Sequence, residues 1–122
     1  MIDQPQISIR AATAADQDVI HALVLQNNLI PVDLHWSSFR VAVSENHQVV
    51  GCGQIKEHGS LQELASLVVA KKWQGRGISR LLMDDLLERA GRPLWLMCES
   101  PLISYYQMLG FEEVKGFDAL PG

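Results

Sequence analysis

The sequence has little of several features that define common protein classes. It contains two cysteines, Cys52 and Cys98, which lie in separate apolar runs and form no C-x-x-C pair. This usage argues against a disulfide framework and predicts two buried thiols in a reduced, cytoplasmic protein. No apolar run is long enough to span a bilayer, and the first residues lack the basic and apolar segments of a secretory signal. We therefore expect no membrane partner.

Positive charge and metal-binding patterns are also scarce. The formal net charge is −4, which disfavours nucleic acid as the main partner. The histidines show no metal-ligand spacing, so we expect no metal site, and no Ser-His-Asp order indicates a nucleophilic triad. The chain is rich in apolar residues instead: 48% of its 122 residues are hydrophobic, which is enough for one globular domain over residues 1–122.

A glycine-containing loop between an apolar strand and a leucine-rich helix is the most informative segment. The loop spans residues 74–79, Gln-Gly-Arg-Gly-Ile-Ser. Glycines let backbone N–H groups converge, and a helix start adds partial positive charge, so this order predicts a phosphate cradle. The chain has no P-loop string, and Arg80 stands where a dinucleotide-binding loop needs its third small residue. The alternative is an ordinary turn surrounded by solvated basic residues, namely Lys71, Lys72, Arg76 and Arg80.

Hydrophobic periodicity predicts the order β-α-β-β-β-α-β-α-β, a mixed α+β domain. Strands are expected over residues 6–10, 39–44, 48–57, 61–69, 93–98 and 111–115. Helices are expected after Thr13, over residues 79–90 and over residues 101–109. Gly51 and Gly53 interrupt the third of these strands, which predicts a bulge or a close backbone approach there.

Two separated motifs on these elements resemble the GNAT superfamily of acyl-CoA-dependent N-acyltransferases. Gln74-x-x-Gly77-x-Ser79 is similar to the family signature Gln/Arg-x-x-Gly-x-Gly/Ala, with serine in place of the last small residue. About thirty residues later, the segment from Tyr106 to Phe111 resembles the family string Tyr-x-x-Leu-Gly-Phe. The resemblance covers about residues 7 to 117.

The resemblance implies a fold and a donor substrate. It implies a mostly antiparallel sheet with helices on both faces, which splays into a V-shaped cleft between strands 61–69 and 93–98. The final strand is short or missing, so the sheet edge is open, shorter, or completed by a partner subunit in a homodimer. Acetyl-CoA would lie in the cleft as a co-substrate. The residues expected to contact it are Leu67, Val68, Val69, Gln74, Gly75, Arg76, Gly77, Ile78, Ser79 and Arg80.

The resemblance also implies catalytic roles. Tyr106 matches the motif tyrosine and would protonate the departing thiolate, although a core-packing tyrosine is the alternative. Glu63 lies eleven residues before Gln74, where some family members carry a catalytic base, and in a regular strand it shares an apolar face with Leu67 and Val69. The alternative is that Glu63 faces solvent and that Glu99 or a water chain acts as the base. The Val69 N–H would stabilise the oxyanion.

These assignments predict an N-acetyltransferase that moves an acetyl group from acetyl-CoA to a primary amine of a small molecule or amino acid. The amine would attack directly in a ternary complex. Residues 29–39 would line the acceptor side, where Asp33, His35 and Trp36 either recognise the acceptor or form a surface turn with one anchoring tryptophan. The alternative functions are a catalytically inactive CoA-binding sensor or partner module, and a scaffold without a ligand.

Overall fold

The computed structural model describes residues 6–29, 31–59, 61–91, 94–96, 103–108 and 110–112. Within these ranges the helices and strands follow in the predicted order. Short 3-10 turns lead directly into α1 and β2, and a third is separated from the start of α2 by four residues. The predicted strand over residues 111–115 lies mostly outside the described residues. The elements are β1 (Ser8–Ala11), α1 (Gln17–Gln26), β2 (Phe39–Val43), β3 (Val49–His58), β4 (Leu61–Val69), α2 (Ile78–Arg89), β5 (Leu94–Leu96) and α3 (Ile103–Met108).

The sheet has the order β1-β2-β3-β4-β5, with antiparallel pairs from β1 through β4. β5 joins β4 in parallel, and the pairing covers only Gln62 to Leu64 of β4 against Leu94 to Leu96. A parallel neighbour needs a crossover, which α2 supplies. The prediction of a mixed α+β fold with a mostly antiparallel sheet is therefore confirmed.

A β-bulge divides β4 into two parts. The register against β3 shifts between Cys52 and Gln54, so that Ser66 and Leu67 together face the single residue Gly53. Ser66 has a φ of 54°, in the left-handed region that few non-glycine residues adopt. One extra residue in a strand reverses the in-and-out alternation beyond it.

The bulge decides which face of the sheet each β4 side chain occupies. Leu64, Leu67 and Val69 all pack on the clusters that include α2, whereas Val68 packs on the cluster beneath α1. Glu63 alternates with Leu64 and so lies on the α1 face. The prediction that Glu63 shares a face with Leu67 and Val69 is wrong, because it assumed a regular strand.

Helices cover both faces of the sheet, as predicted. Beneath α1 lies a cluster that includes Ile20, Val24 and Val41, all fully buried. α2 lies so close to the other face that a Cβ on Gly53 would approach Leu86 Cδ1 to 2.8 Å. The glycines of β3 therefore accompany both a bulge and a close approach, and a larger residue at Gly53 would require the Leu86 side chain to move.

An ion pair fastens α2 to the sheet. Arg40 of β2 donates from Nε to Asp85 Oδ1 at 2.8 Å, and Arg89 donates to the same oxygen at 3.1 Å. Burial of the Asp85 carboxyl opposes its ionisation, but the hydrogen bonds and charges of the two arginines outweigh burial and lower its pKa. No helix in the described part of the chain combines the length and apolar character needed to cross a membrane.

Candidate active site

A cleft of about 360 Å³ opens where the end of α1, the end of β4 and the start of α2 meet. Eight of the ten predicted donor-site residues line it, and Arg76 and Arg80 do not. Leu29, from the segment predicted to line the acceptor side, lines it as well; Asn27 and Trp73 also line it and were missed by sequence reasoning, because no motif marks them. The full lining is Asn27, Leu29, Leu67, Val68, Val69, Trp73, Gln74, Gly75, Gly77, Ile78 and Ser79.

Two glycines of the loop have left-handed backbone conformations. Gly75 and Gly77 have φ values of 79° and 82°, which L side chains rarely adopt. A Cβ at either position would meet nothing within 4 Å, so the glycines provide conformation and not space. α2 begins at Ile78 without a side-chain cap, and its first hydrogen bond runs from the Leu81 N–H to the Gly77 oxygen at 3.2 Å. The preceding N–H groups have no helical acceptor and favour an anion.

The second half of β4 presents backbone groups toward the cleft. The Ala70 N–H donates to the Val50 oxygen of β3 at 2.8 Å. Backbone groups of successive residues in an antiparallel strand point to opposite sides, so the Val69 N–H points away from β3. Among the described residues β5 pairs with β4 no further than Leu64. The edge of β4 at Val69, which this pairing does not reach, lines the cleft.

The Gln74 side chain fixes the loop to its surroundings. Its Nε2 donates to the Val69 carbonyl oxygen at 3.0 Å and to Asn27 Oδ1 at 3.3 Å. Both amide protons are therefore used within the protein. The signature glutamine contributes its side chain to the architecture and its backbone to the cleft.

The basic residues around the loop lie at its exposed rim. The Arg76 guanidinium carbon is 4.9 Å from the centroid of the Trp73 ring, in cation–π geometry. Arg80 Nε is 3.0 Å from Asp84 Oδ1, with both side chains more than half exposed, so this pair contributes little stability. Lys71 and Lys72 are exposed. The four cations therefore surround the loop without lining the cleft.

Tyr106 and Glu63 do not line the cleft. Tyr106 is half-buried on α3 and packs against the cluster of Leu64, Met83 and Leu86. Its ring meets that of Phe111 edge-on, with centroids 6.0 Å apart. The two motif residues Tyr106 and Phe111 thus pack on each other beside α2.

Glu63 occupies the first half of β4. It is half-buried, and its register partners are Lys56 on β3 and Trp95 on β5. The Trp95 Nε1 is buried without a hydrogen-bond partner in the described part of the chain. Glu99, the other candidate base, and Cys98 lie outside the described residues.

The segment predicted to line the acceptor side reaches the cleft through Leu29. Trp36 packs against the cluster beneath α1, and its backbone N–H donates to Gln17 Oε1 at 2.8 Å. His35 is exposed, with Nδ1 2.6 Å from Ser37 Oγ, and Asp33 is exposed at a φ of 56°. Trp36 anchors this turn, while Asp33 and His35 lie on its surface.

Reactive alternatives find little support in the described ranges. No group of three or more His, Cys, Asp or Glu residues there could hold a metal ion. Burial raises the pKa of the Cys52 thiol to about 12, so it stays protonated and unreactive at neutral pH.

Comparison with known proteins places the chain among acetyltransferases. The family model of the acetyltransferase (GNAT) domain matches residues 35–113. No curated protein sequence gives a significant match. N-acetylglutamate synthase from Neisseria gonorrhoeae, complexed with coenzyme A and L-arginine, has a similar fold, with a TM-score of 0.76 at 23% identity. The match covers 95% of this chain but only 29% of the synthase.

Rv2747 from Mycobacterium tuberculosis, in complex with coenzyme A, is 26% identical to this chain with a TM-score of 0.75. The match covers 89% of this chain and 74% of Rv2747. The family model spans more than half of the chain, and these folds agree with the one described above. The two motifs predicted this outcome, and the chain belongs to the GNAT family of acetyltransferases.

Proposed function

We propose that this acyltransferase transfers an acetyl group from acetyl-CoA to a primary amine of a small molecule or amino acid. The observation that carries the proposal is the cleft at the end of β4. There a strand edge that the described part of β5 does not cover, two left-handed glycines and an uncapped helix start meet in one place. These are the three features that an extended amide-containing arm with a terminal pyrophosphate requires.

The residues of the cleft fit such a donor substrate. Backbone N–H groups of the loop from Gln74 to Ser79 would bind the pyrophosphate, with Arg76, Arg80 and Lys72 adding charge from the rim. Backbone groups of Leu67 to Val69 would pair with the pantetheine amides. Apolar side chains of the lining, Ile78 among them, would exclude water from the arm. When bound, acetyl-CoA supplies the activated acyl group as a thioester.

The chain's own groups would serve the transfer in three ways. The Val69 N–H, which points away from β3, would donate a hydrogen bond to the acyl oxygen as negative charge develops on it. The Tyr106 hydroxyl would give a proton to the leaving sulfur, since a phenol with a pKa of about 10 can protonate a thiolate at low cost. Glu63, Glu99 or a bound water would take the proton of the amine.

The acceptor class is supported by the position of the cleft and by a relative. The gonococcal synthase is complexed with L-arginine in one structure and with N-acetyl-glutamate in another. The latter is 22% identical to this chain, covers 95% of it and gives a TM-score of 0.78. An amino acid or a small amine would enter from the wall that Leu29 forms.

A second candidate is a CoA-binding module without catalysis. One observation favours it: neither Tyr106 nor Glu63 lines the cleft. Such a module needs the loop and the strand edge but neither of these side chains. Binding and turnover measurements separate the two candidates.

Two measurements test the proposal in sequence. Saturating acetyl-CoA should raise the midpoint of thermal unfolding, because a ligand that binds only the folded state stabilises it. Release of free thiol from acetyl-CoA should then depend on the added amine, across a panel of amines and amino acids. Stabilisation without thiol release would favour the binding module. Absence of stabilisation would rule out both candidates.

Tyr106→Phe tests the proposed acid. Removing one hydroxyl should lower kcat about a hundredfold, as is typical for loss of a general acid, and leave the affinity for CoA nearly unchanged. The matched control is Tyr105→Phe, the same change at the neighbouring tyrosine outside the motif position. Equal turnover in Tyr106→Phe and the wild type would remove Tyr106 from the mechanism.

A further inference from the structure

A chain of hydrogen bonds between two side-chain amides crosses the cleft wall. Asn27, at the end of α1, donates from Nδ2 to the Leu23 carbonyl oxygen at 2.8 Å. Its Oδ1 accepts from Gln74 Nε2 at 3.3 Å, and the same Nε2 donates to the Val69 carbonyl oxygen at 3.0 Å. The chain therefore runs from a backbone group of α1 to a backbone group of β4.

The direction of both amides is fixed by the groups at the two ends. A carbonyl oxygen can only accept, so each end of the chain must be met by an amide N–H. Reversing either side chain would place two oxygens against each other. Only one arrangement of the two amides satisfies all three contacts.

Both ends of this hydrogen-bond network are anchored in the core, and its middle lies in the cleft. Leu23 is 4% exposed and Val69 is 6% exposed, each packed in a core cluster on a different face of the sheet. Asn27 and Gln74 both line the cleft. The two amides therefore connect the α1 layer to the end of β4 and to the glycine loop.

We propose that Gln74 and Asn27 are positioning residues that hold the α1 wall and the β4 wall of the cleft at a fixed spacing and fix the orientation of the Val69 peptide. The inference rests on the proposed function, since it assigns these residues a role at the donor site. It differs from a role in which the Gln74 side chain contacts the phosphates directly. Both Nε2 protons are already committed to Val69 and Asn27, so direct contact is not required.

Two uncharged substitutions, each tested with two donor substrates, distinguish a positioning role from direct contact with the phosphates. Gln74→Met keeps the length of the side chain and removes both donors, and Asn27→Ala removes only the arm to α1. Asn27→Ala should lower kcat/KM about three- to tenfold, the range for one lost neutral hydrogen bond, and Gln74→Met, which loses two, should lower it further. A loss should persist with acetyl-pantetheine, which lacks the pyrophosphate.

The two variants should also differ in which kinetic constant changes. Asn27→Ala leaves the bond to Val69 in place, so it should raise KM and leave kcat within about twofold. Gln74→Met also removes the hydrogen bond to the Val69 carbonyl, next to the Val69 N–H, so it should lower kcat in addition. Gln26→Met is the control, because Gln26 is exposed on the same helix and does not line the cleft. A loss with acetyl-CoA that disappears with acetyl-pantetheine would overturn positioning in favour of phosphate contact.

Amide hydrogen exchange in the ligand-free protein tests the inference apart from any activity. Asn27→Ala should speed exchange of the hydrogen-bonded amides that flank the loop, those of Trp73, Gln74 and Leu81, and leave β2 and β3 unchanged. Unchanged exchange of these amides would overturn the proposal. If the wild type neither binds CoA nor releases thiol, the proposed function fails, while faster exchange in the variant would still establish the connection between α1 and the loop.

Discussion

The two halves of β4 differ in the strands with which they pair. Before the bulge, Gln62 to Leu64 pair with β3 on one side and β5 on the other. After it, Val68 and Val69 pair with β3, and the described part of β5 does not extend to them. The first half is ordinary interior sheet, and the second half lines the cleft. One inserted residue therefore separates the structural part of the strand from the part that faces a ligand.

A buried hydrogen bond holds this division in place. Gln54 is 1% exposed, and its Nε2 donates to Ser66 Oγ at 3.0 Å. The bond stabilises Ser66 in its left-handed conformation, which costs an L residue about 1–2 kcal/mol. Ser66, where the two halves of β4 meet, therefore combines a strained backbone with a hydrogen bond to a buried amide.

The largest expected effect comes from breaking the bulge bond. Ser66→Ala leaves the buried Gln54 amide without its partner and should lower the free energy of unfolding by about 1–3 kcal/mol in urea titration. Ser66→Gly loses the same hydroxyl but relieves the positive φ, so its loss should be smaller. Ser104→Ala, at an exposed position of α3, is the control. Equal losses in the alanine and glycine variants would mean that Ser66 carries no strain.

A second comparison uses two glycines with similar positive φ values, one beside the cleft and one far from it. Gly77 and Gly59 have φ values of 82° and 65°, and a Cβ at either would meet nothing within 4 Å. Gly77→Ala and Gly59→Ala should each cost about 1–2 kcal/mol of stability. Only Gly77→Ala should also weaken CoA binding, about tenfold, in calorimetric titration. Equal CoA affinity in the two variants would separate the loop from the donor site.

The smallest effect concerns the ion pair that holds α2 over both halves of β4. The folded state lowers the pKa of Asp85, so its contribution is present above the unfolded pKa of about 3.9 and is lost as pH falls through the folded value. Asp85→Asn should cost about 1 kcal/mol at pH 7 and flatten the loss of stability below pH 4. The check is the free energy of unfolding measured across pH. An acid limb as steep as that of the wild type would show that other carboxylates dominate it.

Much of this architecture could be predicted from local patterns. The alternation in residues 61–69 matches β4, and the leucine spacing in 79–90 locates α2 within one residue. Glycines mark the loop in the sequence, and two of them have the left-handed backbone that few other residues adopt. Two motifs in the right order identified the family. These features depend on neighbours close in sequence, which is the information that one chain contains.

What could not be predicted depends on distant contacts. Nothing in Ala65-Ser66-Leu67 marks a bulge, which arises from the register against β3, so the face assigned to Glu63 was wrong. Asn27 reaches the cleft because α1 packs beside the end of β4, a relation that no periodicity encodes. The roles of Tyr106 and Glu63, the cytoplasmic location and the homodimer remain predictions.

The parallel pairing of β4 with β5 has a consequence for how the protein folds. β2, β3 and β4 are joined by short turns and can assemble early, because short loops close quickly. β5 can add only after the crossover through α2 has packed on the sheet. The glycine loop belongs to that crossover, so the cleft is completed among the last steps of folding. Recovery of ligand binding during refolding should therefore lag behind recovery of the β signal.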